Sequence, residues 1–316
     1  MPSINNIKLA RLSQHVSFAP LFFALFLFVN INHKVLADND PKAFDPVKTM
    51  QAKYAAFEPQ LKQNQFNRPL VLESAEIDHR LKGDIYAVVN YPIATVATGL
   101  NNPEHWCDIM HLHINTKYCH VIKGAESDSP ATKLRIYIGK KIPEDLADAK
   151  RVEFNYMLAT SRPDYLQINL SADEGPLGTS DYRIILEAIA LSKTKTFLHL
   201  TYSYAVSVAG RIAMQTYLAT VGHGKVGFTI TGKQADGQPD YIGGVRGLME
   251  RNTMRYYLAI DSYLDSANSA PDGQLEKRLL SWYSATEKYP RQLHELDQSD
   301  YVEMKRAEYV RQQAVH

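Results

Sequence analysis

From about Arg68 to Val208 the apolar residues recur at every second position, and no other feature limits the fold of this chain as strongly. Leu134, Ile136 and Ile138 alternate with Arg135 and Tyr137, Phe154, Tyr156 and Leu158 with Glu153 and Asn155, and Leu166, Ile168 and Leu170 with Gln167 and Asn169. Tyr182, Ile184, Leu186 and Ala188 alternate with a mixed face of Arg183, Ile185, Glu187 and Ile189, and Leu198, Leu200, Tyr202 and Tyr204 with His199, Thr201 and Ser203. Successive strand side chains point to opposite faces, so these runs read as strands with one apolar and one wet face, which favours an antiparallel sheet. Turn residues separate them at Glu126 to Pro130, at Ser161 to Asp164 and at Asp173 to Ser180.

Helical signals flank this block. Asp45 is an N-cap candidate, with Pro46 at the first helical position. Val47, Met50, Tyr54 and Phe57 give one apolar face that Pro59 is expected to end or kink. A strand at about Gly83 to Tyr91 precedes short helices at Pro92 to Leu100 and Pro103 to Met110. After Val208, a short helix (Gly210 to Thr220) and a strand (Lys225 to Gly232, closed by Asp236-Gly237) lead to the longest helix, Asp240 to Ser266. Val245, Met249, Tyr256, Ile260 and Tyr263 share one face of it, whereas Arg246, Glu250, Arg251, Arg255 and Asp261 are expected mostly elsewhere. Two polar helical stretches, Gln274 to Lys288 and Asp300 to Ala314, end the chain, either as a cap on the domain or as a solvated tail.

The N-terminus reads as an export signal: basic Lys8 and Arg11, an apolar run from Phe18 to Ile31, then Val35-Leu36-Ala37 before Asp38. The run is too short for a comfortable membrane span, so cleavage after Ala37 and a periplasmic or secreted product are expected. With 45% hydrophobic residues the chain supports a sizeable core, and a net charge of +1 gives no basis for nucleic-acid binding. Export would place Cys107 and Cys119, the only cysteines, where disulfides persist. A bridge between them would close a short loop, worth about 3 kcal/mol by chain entropy. The rival is a reactive or metal-binding thiol pair, which lacks both C-x-x-C spacing and a second pair.

The element order, a strand, two small helices, a long meander and a closing helix, is that of a helix-grip fold. Residues Leu81-Lys82-Gly83-Asp84-Ile85-Tyr86-Ala87-Val88-Val89, Trp106-Cys107-Asp108-Ile109 and His111-Leu112-His113-Ile114-Asn115 resemble the opening of a START-like domain of the polyketide-cyclase and lipid-transport superfamily. Gly244 to Asn252 with Met254 to Leu258 resembles the closing helix of exported bacterial members. The resemblance implies an α+β helix-grip domain over residues 68–268, a curved antiparallel sheet around a long helix. A signal peptide (1–37), an N-terminal helical segment (38–67) and a helical C-terminal extension (269–316) flank it.

Such a fold leaves a cavity between sheet and helix. Tyr156, Ile168, Leu186, Tyr202 and Tyr204 from the sheet, and Met249, Asn252, Tyr256 and Ile260 from the helix, are the candidate ligand-binding residues. Asn252 is polar on an apolar face and needs a partner, from a ligand, the sheet or water. His111 and His113, two apart in an expected strand, read as a solvated face rather than metal ligands, and His199 reads the same way. Gly222-His223-Gly224-Lys225-Val226-Gly227 fits a dinucleotide motif in spelling only, since it follows a helix and enters a strand. No hydrolase, metalloprotease or P-loop signature is present. The expected function is binding or carriage of a hydrophobic small molecule, best a lipid, with no cofactor and no catalytic residue. The alternatives are an enzyme on the same scaffold using Tyr202, Arg211 or Glu187, and an interaction protein whose C-terminal helices contact a membrane or envelope partner.

Overall fold

The computed structural model describes residues 45–123, 132–220, 222–267 and 269–314. The expected signal segment and the turn at Glu126 to Pro130 lie outside them. The chain runs α1 (Pro46–Lys62), β1 (Leu70–Ile77), β2 (Arg80–Val89), α2 (Ile93–Leu100), α3 (Pro103–Leu112), then the meander β3 (Thr116–Ile122), β4 (Thr132–Ile138), β5 (Lys150–Ser161), β6 (Tyr165–Glu174), β7 (Thr179–Ala190) and β8 (Thr196–Val206). It continues as α4 (Val208–Ala219), β9 (Ile230–Lys233), β10 (Pro239–Tyr241), α5 (Gly244–Ser266), α6 (Pro271–Thr286), α7 (Pro290–Leu293) and α8 (Gln298–Ala314).

Eight strands form one open antiparallel sheet in the order β1-β2-β8-β7-β6-β5-β4-β3, and β9 and β10 form a separate hairpin. After β2 the helices α2 and α3 carry the chain to the far edge, and the meander returns from β3 to β8 beside β2. The α+β helix-grip architecture expected from the element order is the one observed. Helix α5 crosses the sheet closely at Gly83, where a Cβ would lie 2.2 Å from Thr253 Oγ1, so only glycine fits. At its start a Cβ on Gly247 would lie 2.8 Å from the carbonyl oxygen of Ile242, and this explains a glycine inside a first turn.

The structure corrects several sequence expectations. Helix α1 runs through Pro59 to Lys62, because the face carrying Val47, Met50, Tyr54 and Phe57 packs on the sheet with Tyr86, Tyr165, Ile189 and Phe197. The Asp45 carboxylate caps it, accepting from the backbone N–H of Val47 at 3.0 Å. The sheet is therefore covered on both faces, and Ile189, on the mixed face of β7, is buried against α1. His111 and His113 are not on a strand: His111 lies in the last turn of α3, His113 caps it, and both are buried. Residues Asp240 and Tyr241 belong to β10, and the long helix starts at Gly244. Edge strand β1 lacks clean alternation because both of its faces are partly covered.

The polar side of α5 is also covered. Glu250, Arg251 and Arg255 are buried there, under the chain around Val226–Thr229 and the C-terminal helices. Glu250 accepts from Ser74 Oγ, Thr229 Oγ1 and the backbone N–H groups of Phe228 and Thr229, at 2.6 to 2.9 Å. Leu279, Trp282, Tyr301 and Met304 of α6 and α8 lie in the main hydrophobic core. Lys117 of β3 and Lys305 share the buried carboxylate of Glu308, at 2.9 and 2.8 Å. Cys107 of α3 and Cys119 of β3 form a disulfide.

Candidate functional site

The face of the sheet turned toward α5 carries a wall of tyrosines. The register of β7 on β8 shifts between Ser180 and Arg183, and Asp181 there takes φ 50°, held by ion pairs to Arg80 and Arg183. A bulge of this kind re-aims side chains. Tyr182 stacks on Tyr204 at 5.1 Å, and Tyr202 lies 5.6 Å from Tyr204. Tyr202 meets Tyr256 of α5 edge-on at 5.0 Å. His113 stacks on Tyr256 at 4.9 Å.

Two polar atoms in this region lack partners among the described residues. The hydroxyl of Tyr156 and Nε2 of His113 are buried without a hydrogen bond. Such groups carry the cost of lost hydration until something pairs with them. Burial pushes the Tyr156 phenol up to about 12, and holds the His113 imidazole well below its ordinary range, hence neutral. The phenols of Tyr202, Tyr204 and Tyr256 are pushed up for the same reason.

Of the nine residues expected at a ligand site, Tyr202, Tyr204 and Tyr256 stand in ring contact. Ile168, Leu186, Met249 and Ile260 are buried in the same core, with Tyr156 packed against it. Asn252 departs from them, because its Oδ1 accepts from Arg255 Nη1 at 3.3 Å. Arg255 in turn donates to Glu295 at 2.7 Å. Tyr182 and His113 were missed as site residues. Tyr182 continues the period-two face of β7 and was legible, whereas His113 was hidden by the wrong assignment of its segment to a strand.

The opposite face of the sheet holds a second constellation. His199 is not solvated: it is buried, with Nε2 2.8 Å from Asp84 Oδ1 and Nδ1 3.0 Å from Glu187 Oε2. Tyr86 stacks on it at 4.2 Å, and Lys53 of α1 donates to the Tyr86 hydroxyl at 2.9 Å. Burial opposes charge here, but the two carboxylates outweigh it and raise the imidazole above its ordinary value of 6.5. Hydrogen bonds from His199, Lys82 and Thr201 likewise overcome burial and hold Asp84 at about 2. Tyr165 donates to the other oxygen of Glu187 at 2.8 Å, so every partner is engaged. Arg211, a candidate acid or base, is ion-paired with Glu76 of β1.

The described clefts open elsewhere. One of about 700 Å³ is lined by Phe66, Arg68, Tyr91, Asp261 and Tyr289, and one of about 490 Å³ by Thr95, His105, Tyr263 and Arg278. Among the described residues no group of three or more His, Cys, Asp or Glu is placed to hold a metal, and no helix is long and apolar enough to cross a membrane.

No family model and no curated protein matches the sequence. Solved structures do resemble part of the chain. A Thermus thermophilus protein is similar over 60% of this chain and 99% of its own, at 11% identity and a TM-score of 0.38. An aromatase/cyclase from a Streptomyces species is similar over 65% of this chain and 94% of its own, at 12% identity and a TM-score of 0.32. A START superfamily protein from Mycobacterium smegmatis is similar over 49% and 90%, at 13% identity and a TM-score of 0.30. Likenesses at this level concern the arrangement of sheet and helix, and neither ligand nor chemistry passes from them to this chain.

Proposed function

We propose that this protein is a non-catalytic binder or carrier of a hydrophobic molecule, best a lipid, received between the tyrosine-lined face of the sheet and helix α5. The observation that carries this reading is the buried, unpartnered hydroxyl of Tyr156 beside a wall of aromatic and aliphatic side chains. A ligand with an apolar body and one polar group supplies what that arrangement lacks: apolar burial gives affinity at roughly 25 cal/mol per Å², and the polar group satisfies the orphan.

The chemistry of the wall supports binding over turnover. Its phenols are all pushed upward and its histidine is held neutral by burial, so none is poised to exchange protons near neutral pH. The one histidine flanked by carboxylates lies on the far face, with both ring nitrogens engaged and Tyr86 stacked over it. The Cys107–Cys119 bridge together with the basic, apolar and Val35-Leu36-Ala37 succession supports an exported protein. Displacement of an environment-sensitive apolar dye by long-chain lipids tests the proposal. Saturable displacement weakened by Tyr202→Ala is the expected result, and dye that neither binds nor is displaced overturns it.

A further inference from the structure

Beside the tyrosine wall, α5 and the loops around it bury an excess of positive charge. Arg251 and Arg255 are i,i+4 neighbours on α5, and their residues are only 2% and 1% exposed. Arg255 donates to Glu295 at 2.7 Å; the same oxygen lies 2.7 Å from Lys141 Nζ, and the other 3.7 Å from Lys225 Nζ. Among the described residues Glu295 is the single carboxylate paired with Arg255, Lys141 and Lys225. Among the described residues no carboxylate forms an ion pair with Arg251; it donates Nη1 to the carbonyl oxygen of Val226 at 3.2 Å. Nε of Arg251 and Nε of Arg255 are both buried with no acceptor among the described residues.

Burial first, and the charge of neighbouring Arg255 second, lower the Arg251 guanidinium to about 10. A buried cation is tolerated when paired and hydrogen-bonded, and here one carboxylate is shared among several cations while N–H donors remain unused. The cluster is continuous with the ligand wall. Arg255 bonds Asn252, one turn before Tyr256, and its charge reaches His113, which stacks on Tyr256. Lys141 and Lys225 are each about a quarter exposed, which gives the cluster an opening to solvent.

We infer that the ligand is an anionic amphiphile: its carboxylate or phosphate head sits on Arg251 and Arg255, and its apolar body runs along the tyrosine wall. The inference rests on the ligand reading above and adds the charge of the head group. Guanidinium is suited to it, since its planar fork binds carboxylate and phosphate through paired, charge-assisted hydrogen bonds.

The test compares dodecanoate, dodecyl phosphate and dodecanol, matched in chain length, by calorimetric titration of the full chain at constant ionic strength. The expected result is that an anionic amphiphile binds about tenfold or more tightly than dodecanol, and that Arg251→Gln reduces this ratio to about one. Glu295→Gln removes the built-in competitor, and the ratio should rise; this second variant guards against a misfolded first one, and thermal melts verify both. Equal affinity for dodecanol and both anions overturns the inference while leaving the ligand reading in place. Failure of all three to bind overturns the ligand reading itself. Inorganic phosphate serves as a fourth arm: stabilisation by phosphate alone, with no amphiphile bound, assigns the cluster to a free anion and overturns the amphiphile.

Discussion

Replacing His199 with leucine removes the hub between Asp84 of β2 and Glu187 of β7 and leaves two carboxylates beneath α1. Asp84 is held at about 2 against an ordinary 3.8, a difference worth about 2 kcal/mol, part of it owed to Lys82 and Thr201. The bond to Glu187 is charge-assisted and adds about 1.5 to 3 kcal/mol. Removing one member of a buried ionic set costs about 3 to 5 kcal/mol, so His199→Leu is expected to destabilise by about 3 kcal/mol. The pH dependence has a definite sign. The folded imidazole is raised above 6.5, so its contribution is complete below that value and fades as pH rises through the folded pKa. The Asp84 contribution is complete above about 4 and fades as pH falls through its folded value. The gap between wild type and variant is therefore widest between about pH 4 and about pH 6.5, and narrows in alkali. Urea unfolding of both proteins at about pH 5.5 and about pH 9 measures it. A gap below about 1 kcal/mol at the lower pH, or one that widens in alkali, would refute the reasoning.

Other outcomes follow from the packing. Tyr156→Phe should stabilise the unliganded protein by about 1 kcal/mol, by removing an unpaired buried hydroxyl, while weakening ligand binding; calorimetry on the same samples checks both signs. Gly247→Ala drives a methyl against the Ile242 carbonyl and the backbone of Gly227, and should cost about 1 to 3 kcal/mol in thermal unfolding. Serine at both Cys107 and Cys119 should cost about 3 kcal/mol, and a reducing agent should lower the wild-type melting temperature but not that of the variant. Trp282→Ala should cost about 3 to 5 kcal/mol, because Trp282 stacks on Tyr301 within the main core; removing the chain after residue 268 should therefore unfold the domain rather than excise a separate module.

What was legible in the sequence follows the physics of each pattern. The meander was readable because one face of its strands is covered by helices, α5 over β8 and α3 over β3 and β4, while the other carries many polar residues, which leaves period two in the residues. Strand β1 was not, because α1 and α5 both approach it and its two faces became similar. Pro59 looked like a terminator by local rules, but tertiary packing of Met50, Leu61 and their neighbours carried the helix past it. The tyrosines of β8 and α5 were placed on the inward faces by periodicity, together with the sheet-and-helix arrangement that the resemblance implied. The buried charges were not: Arg255, His199 and Lys117 look like surface residues until their partners Glu295, Glu187 and Glu308 arrive from other segments. A pairing across 40 or more residues, such as Arg255 with Glu295, leaves no local trace.

Mass spectrometry of organic extracts from the full chain, expressed with export and purified without detergent, addresses the central claim most directly. The account predicts a stoichiometric co-purified amphiphile, lost on Tyr202→Ala. A protein that extracts empty, and stays empty after incubation with lipid vesicles, would contradict it.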